Sequence, residues 1–211
     1  MINKTRFFSL ARQSTLFGGI LTKQQVDGME AKIDIWEKSG FTDLRWLAYM
    51  FATSYHETGR RMYPVEEIGK GKNKPYGSKL KMGKGPNKRI PYTKPDKIYY
   101  GRGDVQLTWY ENYELMGRIL GIDLLNYPEK ALDPIVSAEI MIEGMIRGKS
   151  LRGDFTGVSL ENYFNPSIKR GSKEEEQSWI NARKIINGLD KAKIIAEYAK
   201  KFYNMFLASV E

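Results

Sequence analysis

The chain has 211 residues, enough for one compact domain whose core needs no disulfide or metal staple. It contains no cysteine and one histidine, which excludes disulfide frameworks, zinc ribbons, thiol catalysis and histidine-rich metal sites. Its net charge of +9 is concentrated, because residues 69–102 hold 11 lysines and arginines against the single acid Asp96 and the remainder is close to neutral. Such a local excess points to an anionic partner or a positively flanked cleft, with a solvated lysine loop as the plainer alternative.

The amino-terminal segment MINKTRFFSLARQSTLFGGIL starts basic, but Ser9, Arg12, Gln13 and Ser14 interrupt its apolar residues, so it makes a poor signal peptide. No stretch approaches the roughly 18 to 20 apolar residues of a membrane span, and a soluble protein made in the cytoplasm is expected. The first predicted helix is LTKQQVDGMEAKIDIWEKSG: Thr22 and Gln25 form a capping box, Val26, Met29, Ile33 and Trp36 recur at helical spacing, and Gly40 stops it. A second helix is predicted from about Asp43, with Leu44, Leu47, Ala48, Phe51 and Tyr55 on one face, ending near Gly59 and placing Glu57 in its last turn.

From Gly69 to Arg102, six glycines and four prolines leave no helical period, so a long loop with at most a small β-hairpin is predicted, and loops of that length are usually functional or disordered. Helical pattern resumes in TWYENYELMGRILG, with Thr108 and Glu111 as its predicted capping box and Gly121 as its end. Asp133 and Pro134 open the next helix, IVSAEIMIEGMIRG. SKEEEQSWINARKIING and LDKAKIIAEYAKKFYNMFLAS complete the set. There is no repeat and no linker, so the expectation is a mostly α fold forming one domain over residues 1–211.

The segment YHETGRRMYPVEE places Glu57, Glu66 and Glu67 around one turn beside His56. It is no zinc-protease motif, which needs a second histidine four residues after the first. A carboxylate in the last turn of a helix lies at the negative end of the dipole, which disfavours its ionised form and suits Glu57 to donating a proton. Glu66 and Glu67 have Arg60, Arg61, Lys70, Lys72 and Lys74 nearby in sequence, which favours the ionised form of a base. Two carboxylates with opposed surroundings are what inverting glycoside hydrolysis requires. Three ordinary surface glutamates are the structural alternative.

A second segment, YYGRGDVQLTWYENY, changes the balance. HETG followed by GRG-VQLTW--NY resembles the family 19 glycoside hydrolases, in particular their bacteriophage endolysin branch, and PVEEIGKGK and ARKIING are similar to that branch too. The resemblance runs over most of the chain. It implies a lysozyme-like α-helical domain with Glu57 as general acid, Glu66 as base and Thr108 as the residue that positions the attacking water. It also implies that His56, Gln106, Asn112 and Asn187 line the sugar cleft. Asp104 departs from the proline or aromatic residue of many relatives and leaves the base open among Glu66, Glu67 and Asp104. Thr108 has an equally good reading as a helix cap, and Tyr99, Tyr100, Trp109, Tyr110 and Tyr113 suit either the core or stacking on sugars.

The resemblance implies an endolysin, a muramidase-like enzyme cutting the glycan strands of peptidoglycan, without cofactor or metal, as a monomer with no separate wall-binding module. Such an enzyme waits in the host cytoplasm and needs a pore-forming factor to reach the wall. A chitinase acting on N-acetylglucosamine polymers is the alternative within the same family. Outside it stands a nucleic-acid-binding protein, with loop lysines contacting phosphates and Tyr76, Tyr92, Tyr99 and Tyr100 stacking on bases; no binding module supports that reading, and no nucleic-acid partner is expected.

Overall fold

A computed structural model describes residues 1–85, 88–146 and 157–210. Among these there are nine α-helices, one of them central and largely buried: α1 (Lys4–Gln13), α2 (Lys23–Ser39), α3 (Leu44–Glu57), α4 (Tyr110–Leu120), α5 (Pro134–Ile146), α6 (Leu160–Tyr163), α7 (Lys173–Asn181), α8 (Lys184–Asn187) and α9 (Ala192–Leu207). The central helix is α3, whose residues from Leu47 to Tyr55 are buried on every face. A helix buried all round must be apolar all round, and LAYMFAT is. Its largest neighbour is α9. Phe51 meets Phe206 edge to face with ring centroids 4.9 Å apart, and Phe7 of α1 stacks on Phe206 at 4.6 Å. Burying each such ring stabilises the fold by about 1.5–3 kcal/mol.

The helix ends follow their local chemistry. Thr22 and Gln25 form the predicted capping box of α2, which Gly40 closes at φ 74°. The Asp43 carboxylate accepts from the Arg45 amide at the start of α3, and Asp133 accepts from the amides of Ile135 and Val136 at the start of α5. Inside α2, Gly28 lets the chain at Met62 lie directly on the helix; a Cβ there would sit 2.0 Å from the Met62 carbonyl oxygen.

Four short strands lie in and around the predicted long loop: β1 (Val65–Glu66) before it, β2 (Leu80–Met82) and β3 (Arg89–Pro91) within it, and β4 (Arg102–Gly103) at its end. They form two antiparallel pairs: β2 with β3 is the small hairpin expected within the loop, and β1 with β4 is a two-residue pair that joins its flanks. Three features depart from the sequence pattern. The amino-terminal segment forms α1, capped by Asn3. The helix read through SKEEEQSWINARKIING is two, because the chain turns at Ala182 and Arg183 to bury both. Thr108 caps nothing: α4 begins at Tyr110 with Trp109 at its N-cap position at φ 73°. The Trp109 amide donates to the Tyr99 carbonyl, and Glu111 turns outward to Arg89 instead of back to the helix end. No helix among the described residues is long and apolar enough to cross a membrane.

Candidate active site

Glu57 is the last residue of α3, and the chain turns away sharply behind it. The Thr58 hydroxyl donates to the Ser54 carbonyl at 2.6 Å and accepts from the Met62 amide at 3.0 Å, while Arg60 and Met62 adopt positive φ. This turn delivers β1, and with it Glu66, alongside β4 in the register Val65 to Gly103 and Glu66 to Arg102. Residues 102–107 fold into a tight hairpin closed by Arg102 and Leu107. Gln106 braces it, its side-chain amide donating to the carbonyls of Val65 and Gly103, both at 3.1 Å. The ends of α3 and β1 are therefore fastened to the same segment.

The two candidate catalytic carboxylates have different neighbours. Glu57 is 19% exposed and forms an ion pair with Arg183, Oε1 to Nη1, at 2.7 Å. The pair is a charge contact, without the alignment of a hydrogen bond. The sequence places Glu57 at the negative end of its helix, and the fold adds a buried arginine opposite it. Arg183 is 2% exposed and is held by its Nε, which donates to the Asp190 carbonyl at 3.0 Å. Sequence reading missed it, although it lies within ARKIING, because a cation in an apolar run does not announce its partner.

Glu66 accepts a short hydrogen bond from the Tyr100 hydroxyl, pairs with Lys70 at 3.1 Å and faces the Nε of Arg102 at 3.8 Å. The Tyr100 bond above all, then Lys70 and Arg102, hold its carboxyl below the usual value of 4.5. Glu67 has its oxygens engaged elsewhere, by the Tyr76 hydroxyl at 2.9 Å and the Gly101 amide at 3.0 Å.

Asp104, the third candidate base, is fully buried. It accepts from the hydroxyls of Ser54 at 2.5 Å and Ser137 at 2.6 Å and pairs with Lys32 at 2.7 Å. Lys32 completes its own coordination with the carbonyls of Gly28 and Met62. Every partner is internal, so Asp104 ties α2, α3 and α5 together and has no access to water.

The remaining predicted residues divide. Thr108, freed from capping, is half-buried beside Asn112, whose side-chain amide donates to the Thr108 carbonyl at 2.9 Å. His56 is half-buried next to Glu57. Asn187 ends α8, four residues after Arg183, and its side chain lies outside the described residues. Tyr99, Tyr100 and Tyr113 are core residues, and Tyr92 joins their cluster, so none of these rings is free to stack on a sugar or a base. Trp109 is half-buried and carries the Arg89 guanidinium 3.6 Å above its ring. Among the described residues no group of three or more acidic or histidine side chains is arranged to hold a metal ion.

Comparison with known proteins agrees with this fold. Chitinase C from Streptomyces griseus HUT6037 superposes with a TM-score of 0.59 at 19% identity, covering 97% of this chain and 76% of that one. The class IV chitinase from Zea mays gives 0.50 at 21% identity, with 95% and 90% covered. At such identities the likeness is one of fold. In sequence, endochitinase EP3 of Arabidopsis thaliana is 42% identical over 94 residues, and chitinase 11 of Oryza sativa subsp. japonica is 34% identical over 124. These alignments cover 44% and 54% of this chain but only 31% and 48% of the relatives, so the chain spans less than half the length of either. The family model described as chitinase class I matches residues 45–192, most of the chain and every candidate site residue, and the chain belongs to glycoside hydrolase family 19.

Proposed function

We propose that this protein hydrolyses glycosidic bonds in a polymer of N-acetylated amino sugars, with chitin as the substrate class and inversion as the stereochemical course. The observation that carries the reading is the pair of carboxylates in unlike settings. Glu57 is aimed by a buried arginine at the end of α3, and Glu66 is held by a hydroxyl and two cations at the end of β1. Glu57 acts as general acid: its contact with Arg183 orients the carboxyl through Oε1 and leaves Oε2 to carry the proton to the leaving oxygen. Glu66 acts as base on a water held between it and the sugar, the arrangement an inverting enzyme needs. The Thr108 hydroxyl orients that water. Gln106 acts through the hairpin it braces, and His56, Asn112 and Asn187 flank the sugar. The chitinases among the relatives support chitin.

A second reading is favoured by charge. Lys70, Lys72, Lys74, Lys84, Lys88, Lys94 and Lys97 are all exposed on the loop whose first lysine, Lys70, pairs with Glu66. Peptidoglycan, which carries carboxylates on its muramic acids and peptide stems, would be drawn to them, as would suit an endolysin of the bacteriophage branch released to the wall through a pore-forming factor.

Incubation with purified chitin and with purified peptidoglycan, followed by mass spectrometry of the new reducing ends, separates the two. Products from chitin with inverted anomers support the first reading, and muramic acid ends formed from peptidoglycan alone replace it with the second. Retained anomers overturn the mechanism, and no glycan product from either polymer overturns both readings. Glu57→Gln should leave the fold intact and reduce turnover by about 10²-fold or more.

A further inference from the structure

We propose that Tyr100 and Arg102 are the positioning residues that fix the Glu66 carboxylate for its work on water. The proposal rests on the reading of Glu66 as base and concerns how the chain builds that base. Arg102 is an unusual place for a cation. It is 6% exposed, its guanidinium lies 3.6 Å over the Tyr100 ring, and its Nη1 donates to the carbonyls of Ile98 at 3.2 Å and Tyr100 at 3.5 Å and to the Tyr113 hydroxyl at 3.0 Å. Tyr113 in turn donates to the Tyr100 carbonyl at 2.8 Å. These contacts lock the guanidinium plane and the Tyr100 backbone together.

The Nε of Arg102 is buried and makes no hydrogen bond among the described residues, yet it faces Glu66 Oε1 at 3.8 Å. A buried charge without a directly bonded counterion is costly to keep. A contact serving stability alone would close to a charge-assisted hydrogen bond of about 2.7–2.9 Å. Left open, Arg102 stabilises the carboxylate through space and occupies none of its lone pairs. An ionised carboxylate has about four acceptor sites. Tyr100 takes one and the exposed Lys70 another, and the rest stay available to a water. Lys70, Tyr100 and Arg102 are the groups that set the charge of Glu66 from the loop and from the strand packed against it. The first is 64% exposed at its side chain and easily screened, so the two buried residues carry the effect.

The decisive variant is Tyr100→Phe, which keeps the ring over Arg102 and removes only the donor. Two readouts are taken. Carbon-13 titration of the Glu66 carboxyl, assigned by its loss in Glu66→Gln, should give a value below 4.5 in the unaltered protein and a higher one in Tyr100→Phe, which lacks the hydroxyl donor. The acid limb of kcat/KM on chitin oligosaccharides or peptidoglycan should move upward with it, because a base must be ionised and a weaker hold raises the pH at which it loses its proton. Turnover near neutral pH should also fall, because the carboxylate loses the donor that fixes it, whereas a merely structural loss would lower activity at every pH and leave the limb in place. Arg102→Gln should shift both readouts in the same direction if it folds; Tyr100→Phe decides the matter if it does not. An unmoved carboxyl titration overturns the proposal. A moved titration with an unmoved acid limb, or near-normal turnover in Glu66→Gln, removes Glu66 as base while leaving the contact real, so the two failures are distinct.

Discussion

Asp104 is the residue whose surroundings differ most from its sequence context. In GRGDVQ it reads as one more carboxylate near a catalytic turn, yet its partners are Lys32, 72 positions earlier, with Ser54 and Ser137. Asp104→Ala should strand the Lys32 ammonium in the core and cost about 3–5 kcal/mol in urea unfolding. The joint replacement Lys32→Met with Asp104→Leu should recover most of that loss. Lost activity with unchanged stability would restore Asp104 as a candidate base. Of the two acids on β1 and just after it, Glu66→Gln should be severe, about 10²-fold or more in turnover. Glu67→Gln should be mild, because an amide can still accept one of the two bonds that Tyr76 and Gly101 supply. The reverse order, read from the same assay, would transfer the base to Glu67.

At the scale of elements, the basic segment is a built structure. Its β2–β3 hairpin is anchored to α4 by Arg89, which lies on Trp109 and pairs with Glu111, and by Lys81 5.2 Å from the Tyr110 ring. Nearer the site, the chain crosses itself at Gly71 and Gly77, where a Cβ on Gly77 would lie 1.8 Å from the Gly71 carbonyl oxygen. Arg89→Ala removes one cation–π contact and one partly exposed ion pair, together about 1–2 kcal/mol. It should free the hairpin without unfolding the domain. The expected outcome is a raised KM for long polymers with little change for short oligosaccharides. Equal effects on both would place the hairpin outside the binding surface.

The whole molecule is organised by α3, which carries Glu57 on a helix buried among α1, α9 and the aromatic cluster of Phe7, Phe51, Phe202 and Phe206. Phe206→Ala should cost about 3–5 kcal/mol, seen as an earlier urea midpoint. The charge distribution acts at the same scale. If peptidoglycan is cut, the rate should fall as salt rises past the point where the screening length is about 8 Å. Soluble neutral oligosaccharides should be nearly insensitive, and equal salt dependence for both would show that the lysines do not steer.

The sequence by itself determined what depends on neighbours along the chain. Thr22 with Gln25, Asp43, and Asp133 with Pro134 place helix starts through bonds that close within three residues. Apolar periodicity marks the helices that pack the core, and the ordered motifs from HETG to GRG-VQLTW carry the family and offer Glu57 as candidate acid with Glu66, Glu67 and Asp104 as candidate bases. Tertiary structure decided everything that depends on a distant partner. Thr108 with Glu111 has the pattern of a cap, but Arg89 claims the glutamate, and Trp109 takes the N-cap position. Arg183 meets Glu57 across 126 positions, and Arg102 faces Glu66 across 36. No local pattern encodes which carboxylate a cation will face, because the field at each acid is summed over groups that only the folded chain brings together.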